Sequence, residues 1–157
     1  MSSLINRLFP KQFDNRFEGH RAALWLLGLF ITLKLIMSLN SIFNTASVAS
    51  GADGIPLDSF GPAAAREVLT LFALLALAQL SLTLIALAAL IRYRAMVPFM
   101  YLLLLGEQLA RRAIIQSYAV PRGDSPAAVS VLVYGLVALL MLGLLLSLIP
   151  AKRQSQV

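Results

Sequence analysis

The sequence predicts an all-α, polytopic membrane protein: a four-transmembrane-helix bundle with an N-terminal interfacial segment. Hydrophobic residues make up 59% of the 157 residues and charged residues only 13%. Soluble domains have roughly 45–50% apolar and about 25% charged residues. The apolar residues also form four separate blocks, each close to or above the roughly 20 residues that a membrane helix needs. A chain of this length is expected to form one domain.

Residues 1–20 are predicted to be a cytoplasmic, interfacial amphipathic segment. Leucine and phenylalanine side chains alternate with Arg7, Lys11 and Arg16, and Pro10 divides the segment into two short pieces. Apolar and basic residues in this mixture are typical of a segment that lies on an anionic leaflet. The alternative is a disordered tail with scattered aromatic residues.

The four apolar blocks predict helices over residues 22–43, 63–91, 97–118 and 127–149. Together they form a membrane domain over residues 21–150, followed by a cytoplasmic tail over 151–157. Because only a tight turn separates the second helix from the third, these two helices are expected to form an antiparallel hairpin. The second helix is longer than a hydrocarbon core of about 30 Å requires, so it must tilt or protrude.

The fourth helix carries no charged residue and has small residues at a regular spacing. Gly135, Leu139, Gly143 and Ser147 recur every fourth position, which places them on one face. Small residues on one face allow two membrane helices to approach closely. This face is therefore predicted to pack against another helix, and it would suit a homo-oligomer or a membrane-protein partner. Glycine is common in membrane helices, however, so the face could also meet lipid.

The distribution of basic residues predicts the orientation. Eight of them flank one side of the predicted bundle: Arg7, Lys11, Arg16, Arg21, Arg92, Arg94, Lys152 and Arg153. Basic flanks are retained in the cytoplasm, so both termini are expected there, in a multi-pass protein of the cell membrane, with a bacterial inner membrane favoured. The excess of 13 basic over 7 acidic residues then reflects membrane orientation and contact with anionic lipids, and nucleic acid is not expected as a partner.

Strongly polar residues interrupt three of the predicted helices at one level. Lys34, Gln79 and Glu107 each lie thirteen residues from a basic residue at the cytoplasmic end of their helix, which is about 20 Å into the membrane. We call Lys34, Gln79, Glu107, Gln108 and Arg111 the polar layer. An unpaired charge at this depth costs roughly 2.5–3.5 kcal/mol on the insertion scale.

Pairing within the polar layer would offset that cost. We predict an ion pair between Lys34 and Glu107, with the two glutamines hydrogen-bonded around it. Arg111 competes for Glu107 because it lies four residues further along the same helix. Arg111 and Arg112 together could contact an anionic head group near the outer interface, where Arg112 can also snorkel toward water.

The residue inventory excludes several kinds of chemistry. The chain has no cysteine and a single histidine, His20, so thiol catalysis, disulfides and a metal site of clustered Cys or His residues are not expected. No nucleophile–base pair stands out. We therefore predict no catalytic residue, no metal and no cofactor.

These observations favour a non-enzymatic role as an accessory, assembly or structural component of a membrane, with the polar layer holding the helices in register. The first alternative is a small transporter or proton-coupled carrier that uses Lys34, Gln79 and Glu107, because ionisable groups inside membranes often mark transport pathways. The second alternative is a membrane enzyme that acts on a lipid or a quinone, with Arg111 and Arg112 holding the head group.

Overall fold

The computed structural model describes residues 2–10, 12, 14–117 and 127–150 of the protein. In these residues all regular secondary structure is helical, which confirms the all-α prediction. Six α-helices occur in this described part of the chain: α1 Ser2–Leu8, α2 Ala22–Phe43, α3 Thr45–Gly51, α4 Pro62–Arg92, α5 Val97–Ser117 and α6 Ala127–Leu148.

Three of these helices are long and apolar enough to cross a membrane. They are α2, α4 and, within α6, residues Ser130–Leu148. Helix α5 is of similar length, but it contains Glu107, Arg111 and Arg112 and is not among the three. The structure thus supports a multi-pass membrane protein, whereas the predicted fourth span does not follow from length and composition.

Helix α2 is the central element of the bundle. It packs along α4 on one side and along α6 on the other, and α6 in turn packs on α5. The face of α4 that is buried consists of small and medium-sized residues such as Ala76, Thr83 and Ala86, which allow α2 to approach closely. The core between the helices is filled mainly by Leu27, Phe30, Met100, Tyr101, Leu104 and Leu140.

The outer surface of the bundle is strongly apolar. Large side chains such as Trp25, Leu74 and Ile85 are exposed on it, and Trp25 is 82% exposed. Contiguous apolar surface of this kind is unusual for a soluble monomer and is expected for helices surrounded by lipid.

The N-terminal segment covers one end of the bundle. The backbone N–H of His20 donates to the carbonyl of Leu146 at 3.0 Å, and the Arg7 Nη1 donates to the carbonyl of Leu148 at 2.8 Å. Gly19 pairs with Pro150 in an isolated bridge. Because the last carbonyls of a helix have no partner within it, this segment acts as a C-terminal cap of α6. Contact of residues 1–20 with a leaflet stays a prediction.

Two connections contain helical turns. The stretch between α2 and α4, where no helix is predicted, holds α3 and a 3-10 turn at Leu57–Ser59. Helix α3 packs on α2 and α4. A second 3-10 turn, Arg94–Met96, joins α4 to α5 at the capped end, where the Ala95 N–H donates to the carbonyl of Asp14 at 3.3 Å. The predicted end of the third helix at residue 118, the loop after it and the tail over 151–157 lie outside the described residues.

Candidate functional site

The structure places the five residues of the polar layer on the inner or interhelical faces of three helices. Lys34 and Gln79 are each 7% exposed and Gln108 is 5% exposed. The side chains of Glu107 and Arg111 are partly buried, at 23% and 30% exposure. The level predicted from residue counting therefore corresponds to a buried polar region of the bundle.

Arg111 is the centre of the hydrogen bonding in this layer. Its Nε donates to Oε1 of Glu107 at 2.8 Å, and its Nη2 donates both to the same carboxylate oxygen and, at 2.5 Å, to Oε1 of Gln79. The carboxylate neutralises the guanidinium, and the guanidinium reaches across to α4. One side chain thus ties α5 to the neighbouring helix.

The predicted ion pair between Lys34 and Glu107 does not form. Among the described residues, Glu107 is paired with Arg111, the partner that competes for it from one turn further along α5. The physical reason is local: residues four apart on a helix face each other, and the guanidinium fork can donate to a carboxylate through two nitrogens at once. The Lys34 ammonium would have to reach Glu107 from another helix.

Lys34 remains close to this pair without bonding to it. Its charge interacts electrostatically with Arg111 and Glu107, and its Nζ lies 5.9 Å from the centre of the Phe30 ring, within cation–π range. Within the described part of the chain, no hydrogen bond or ion pair of Lys34 is formed. A lysine that is only 7% exposed and has no hydrogen-bond acceptor is unusual, since buried charges are normally paired.

Arg112, the next residue on α5, faces a different helix. Its guanidinium lies over the ring of Tyr134 on α6, 4.3 Å from the ring centre. Arg111 and Arg112 therefore point to different neighbours, one to α4 and the other to α6. The predicted joint contact with an anionic head group stays a prediction.

The predicted packing face of α6 is divided between two environments. Gly143 and Ser147 are buried, and a Cβ at position 143 would overlap the ring of Tyr101. The Tyr101 hydroxyl donates to the carbonyl of Ala23 at 2.6 Å, so this tyrosine connects α5 with α2 while its ring packs against α6. Gly135 is exposed and has open space around its Cβ position.

Several buried polar atoms have no hydrogen-bond partner in the described part of the chain. They belong to four of the residues already introduced and to Ser38, one turn beyond Lys34 on α2. The atoms are Ser38 Oγ, Gln79 Nε2, Glu107 Oε2, Gln108 Nε2 and Arg112 Nε. Leaving a buried polar atom unpaired costs about 1–3 kcal/mol. Five such atoms on α2, α4 and α5 therefore distinguish the polar region from the rest of the bundle.

Residue patterns alone do not identify two of these contacts. Tyr101 and Tyr134 are surrounded mainly by aliphatic residues in α5 and α6, and nothing in their spacing indicates the partners that they have. The weak signal for Tyr101 is that a buried tyrosine hydroxyl needs an acceptor. Its partner depends on the order of the helices around the bundle.

A cavity of about 490 Å³ lies at the capped end, away from the polar layer. It is lined partly by Arg7, Arg16 and Glu18 from the N-terminal segment and by Pro98 from the start of α5. Across the described residues, no group of three His, Cys, Asp or Glu side chains could hold a metal ion.

No family model matches the chain, and neither a curated protein nor a solved structure is significantly similar to it. The function has to be argued from the geometry of the bundle and its polar layer.

Proposed function

We propose that this protein is a four-span, non-enzymatic integral protein of a cell membrane, with both termini in the cytoplasm, that serves as an accessory, assembly or structural component. The observation that carries the proposal is the bonding of Arg111. Two of the three charged side chains on α5 that would oppose insertion into lipid, Glu107 and Arg111, bind α5 to itself and to α4. The polar layer then fixes the register of the helices.

The path of the chain supports the fourth span. The start of α2 and the end of α6 meet at the capped end, through Gly19 and Pro150. Helix α5 also begins at that end, next to Asp14. For α6 to run back toward the capped end, α5 must first carry the chain to the opposite end. Its 21 residues cover about 31 Å, which matches a hydrocarbon core of about 30 Å.

The charge distribution supports the orientation. The basic residues Arg7, Arg16, Arg21, Arg92 and Arg94 all belong to segments at the capped end. By the positive-inside rule, this end faces the cytoplasm. A bacterial inner membrane fits this arrangement.

A double-mutant cycle tests the structural role of the layer. Glu107→Gln and Arg111→Gln are made singly and together, and unfolding in a mild detergent is followed with increasing denaturing detergent. Each single change should lower the free energy of unfolding by about 2 kcal/mol, between the ~0.6 kcal/mol typical of a hydrogen bond in membranes and the 3–5 kcal/mol of a fully buried broken pair. The double change should cost less than the sum of the two single changes.

The exposed pair Arg66 and Glu67 at the start of α4 offers matched controls. Arg66→Gln and Glu67→Gln remove the same charges from the surface and should change stability by less than about 0.5 kcal/mol. If the Glu107 and Arg111 variants are as stable as these controls, the polar layer does not hold the bundle together and the proposal fails.

A small transporter or proton-coupled carrier is the second candidate, and the unpaired state of Lys34 favours it. A structural layer has no need of a buried ammonium without an acceptor, whereas a carrier needs a group that can bind its cargo. Reconstitution of the protein into liposomes separates the two. A flux of protons or solute that Lys34→Met abolishes while the protein still folds would assign the carrier role. Vesicles that show no flux with the wild-type protein would favour the structural role.

A further inference from the structure

Most of the unpaired atoms in and beside the polar layer can donate a hydrogen bond. Gln79 Nε2, Gln108 Nε2 and Arg112 Nε donate, Ser38 Oγ can donate or accept, and Glu107 Oε2 accepts. The amide of Gln79 is oriented by Arg111, which donates to its oxygen, so its nitrogen faces away from the guanidinium. A group with several hydrogen-bond acceptors would complement these donor atoms.

These donor atoms are themselves buried, so bulk water does not satisfy them. Ser38 is 3% exposed, Gln108 is 5% exposed and Gln79 is 7% exposed. Lys34, a residue that is also 7% exposed, adds an ammonium with three hydrogens to donate. The region therefore presents several buried donor atoms that the protein itself does not pair.

The charge of the region requires an anion. Away from their ends, the four long helices carry the charged residues Lys34, Glu107, Arg111 and Arg112, and α6 carries none. Three positive charges and one negative charge leave a net charge of +2. Charges in a medium of low dielectric constant persist only when they are paired, and within the described residues the carboxylate of Glu107 is bound to Arg111.

The residues of α5 span the width of the site. At 100° per residue, Gln108 lies between Arg111, which faces α4, and Arg112, which faces α6. Lys34 and Ser38 come from α2, which packs on both α4 and α6. Donors from three helices thus border one region, and Glu107 and Arg111 are partly exposed at its α4 side, where a ligand could enter from the surrounding medium.

We propose that this region binds an oxyanion, and that in the membrane the oxyanion is the phosphate of an anionic lipid in the leaflet opposite the termini. Guanidinium groups and amide donors are well suited to phosphate oxygens. The site lies about 20 Å from the capped end, which leaves roughly 10 Å to the far boundary of the hydrocarbon core. Arg111 and Arg112 lie four and five residues beyond Glu107, about 6–7 Å nearer that boundary. Their long side chains can extend from there to a head group drawn inward to the other donors. The lipid assignment rests on the proposed four-span topology, whereas the oxyanion chemistry does not.

The test uses the full chain purified in a neutral, phosphate-free detergent. Its melting temperature is measured alone and with phosphatidylglycerol, diacylglycerol or inorganic phosphate. Phosphatidylglycerol should raise the melting temperature by at least about 4 °C, and diacylglycerol, which has the chains without the phosphate, should not. Native mass spectrometry should show one retained phosphatidylglycerol molecule per chain.

Variants then test whether the rise in melting temperature comes from lipid bound at the proposed site. Lys34→Met and Gln108→Leu should each abolish most of the shift with phosphatidylglycerol. Without lipid, Lys34→Met should melt at the same temperature as the wild-type chain or higher, because it removes an unpaired buried charge. Arg66→Gln, which removes an exposed positive charge from α4, should keep the full shift.

Each remaining outcome has a defined meaning. A shift with inorganic phosphate as large as that with phosphatidylglycerol would support the oxyanion site and assign the free ion as its ligand. Equal shifts with phosphatidylglycerol and diacylglycerol, or no shift with any phosphate compound, would overturn the site. The proposed structural role would survive that result, since the Glu107 and Arg111 cycle tests it independently of added lipid.

Discussion

At the scale of single residues, the bundle depends on a few polar and small side chains at fixed places. Arg111 joins α5 to α4 through Glu107 and Gln79, and Tyr101 joins α5 to α2 through its hydroxyl. Apolar packing alone gives little preference for one helix partner over another in lipid, because lipid chains are as apolar as leucine. These few directional contacts therefore specify the arrangement.

Gly143 is predicted to be essential for the contact with Tyr101. Gly143→Ala adds a Cβ that would overlap the tyrosine ring, so we expect a loss of about 1–3 kcal/mol in the free energy of unfolding. Gly135→Ala is the matched control on the same helix, because the space around Gly135 is open. It should be neutral or slightly stabilising. Equal stability of the two variants in a detergent denaturation would contradict the packing described for Tyr101.

At the scale of elements, the ends of the helices are better determined by sequence than their faces. Helix α2 spans the range that the apolar block predicts, and Pro62 begins α4 as expected for a proline in a first turn. Charged and proline residues end the apolar blocks sharply, so the ends of these helices can be predicted from the sequence. Helix α3 is not evident in the sequence because seven small and polar residues carry no clear helical period.

The pairing within the polar layer could be predicted only in part. The rise of 1.5 Å per residue places Lys34, Gln79 and Glu107 at one level. Which charges meet depends on the rotation of each helix about its axis, and that rotation is set by packing contacts such as Tyr101 on Gly143. The local Glu107–Arg111 pair needs no such information. The Lys34–Glu107 pair would join two helices, so predicting it required the rotation of both helices. That prediction was wrong.

The capping of α6 by the N-terminal segment gives a prediction at this scale. Arg7→Gln removes the donor to the Leu148 carbonyl and should lower the free energy of unfolding by about 1 kcal/mol. It should also speed amide hydrogen exchange in the last turn of α6. Arg16→Gln is the control, because the Arg16 side chain is 91% exposed. It should change neither the free energy of unfolding nor the amide exchange of α6. If both variants exchange alike, the N-terminal segment does not cap this helix.

At the scale of the whole molecule, the proposed topology requires a helix with three charged residues to cross the membrane. Three apolar helices alone would leave the two termini on opposite sides. The meeting of Gly19 with Pro150 places the start of α2 and the end of α6 at one end of the bundle, which is compatible with an even number of crossings. The crossing of α5 is thus the central claim, because the topology, the orientation and the assignment of the oxyanion to a lipid depend on it.

Site-directed labelling tests this claim most directly. The natural chain has no cysteine, so Arg94→Cys and Ser117→Cys each introduce a single thiol, one before and one at the end of α5. Intact cells are treated with a maleimide that cannot cross the inner membrane. If the cells also have an outer membrane, the reagent must be able to pass through it. The thiol at 117 should react in intact cells, and the thiol at 94 only after the inner membrane is permeabilised. Reaction of both thiols under the same condition would show that α5 does not cross.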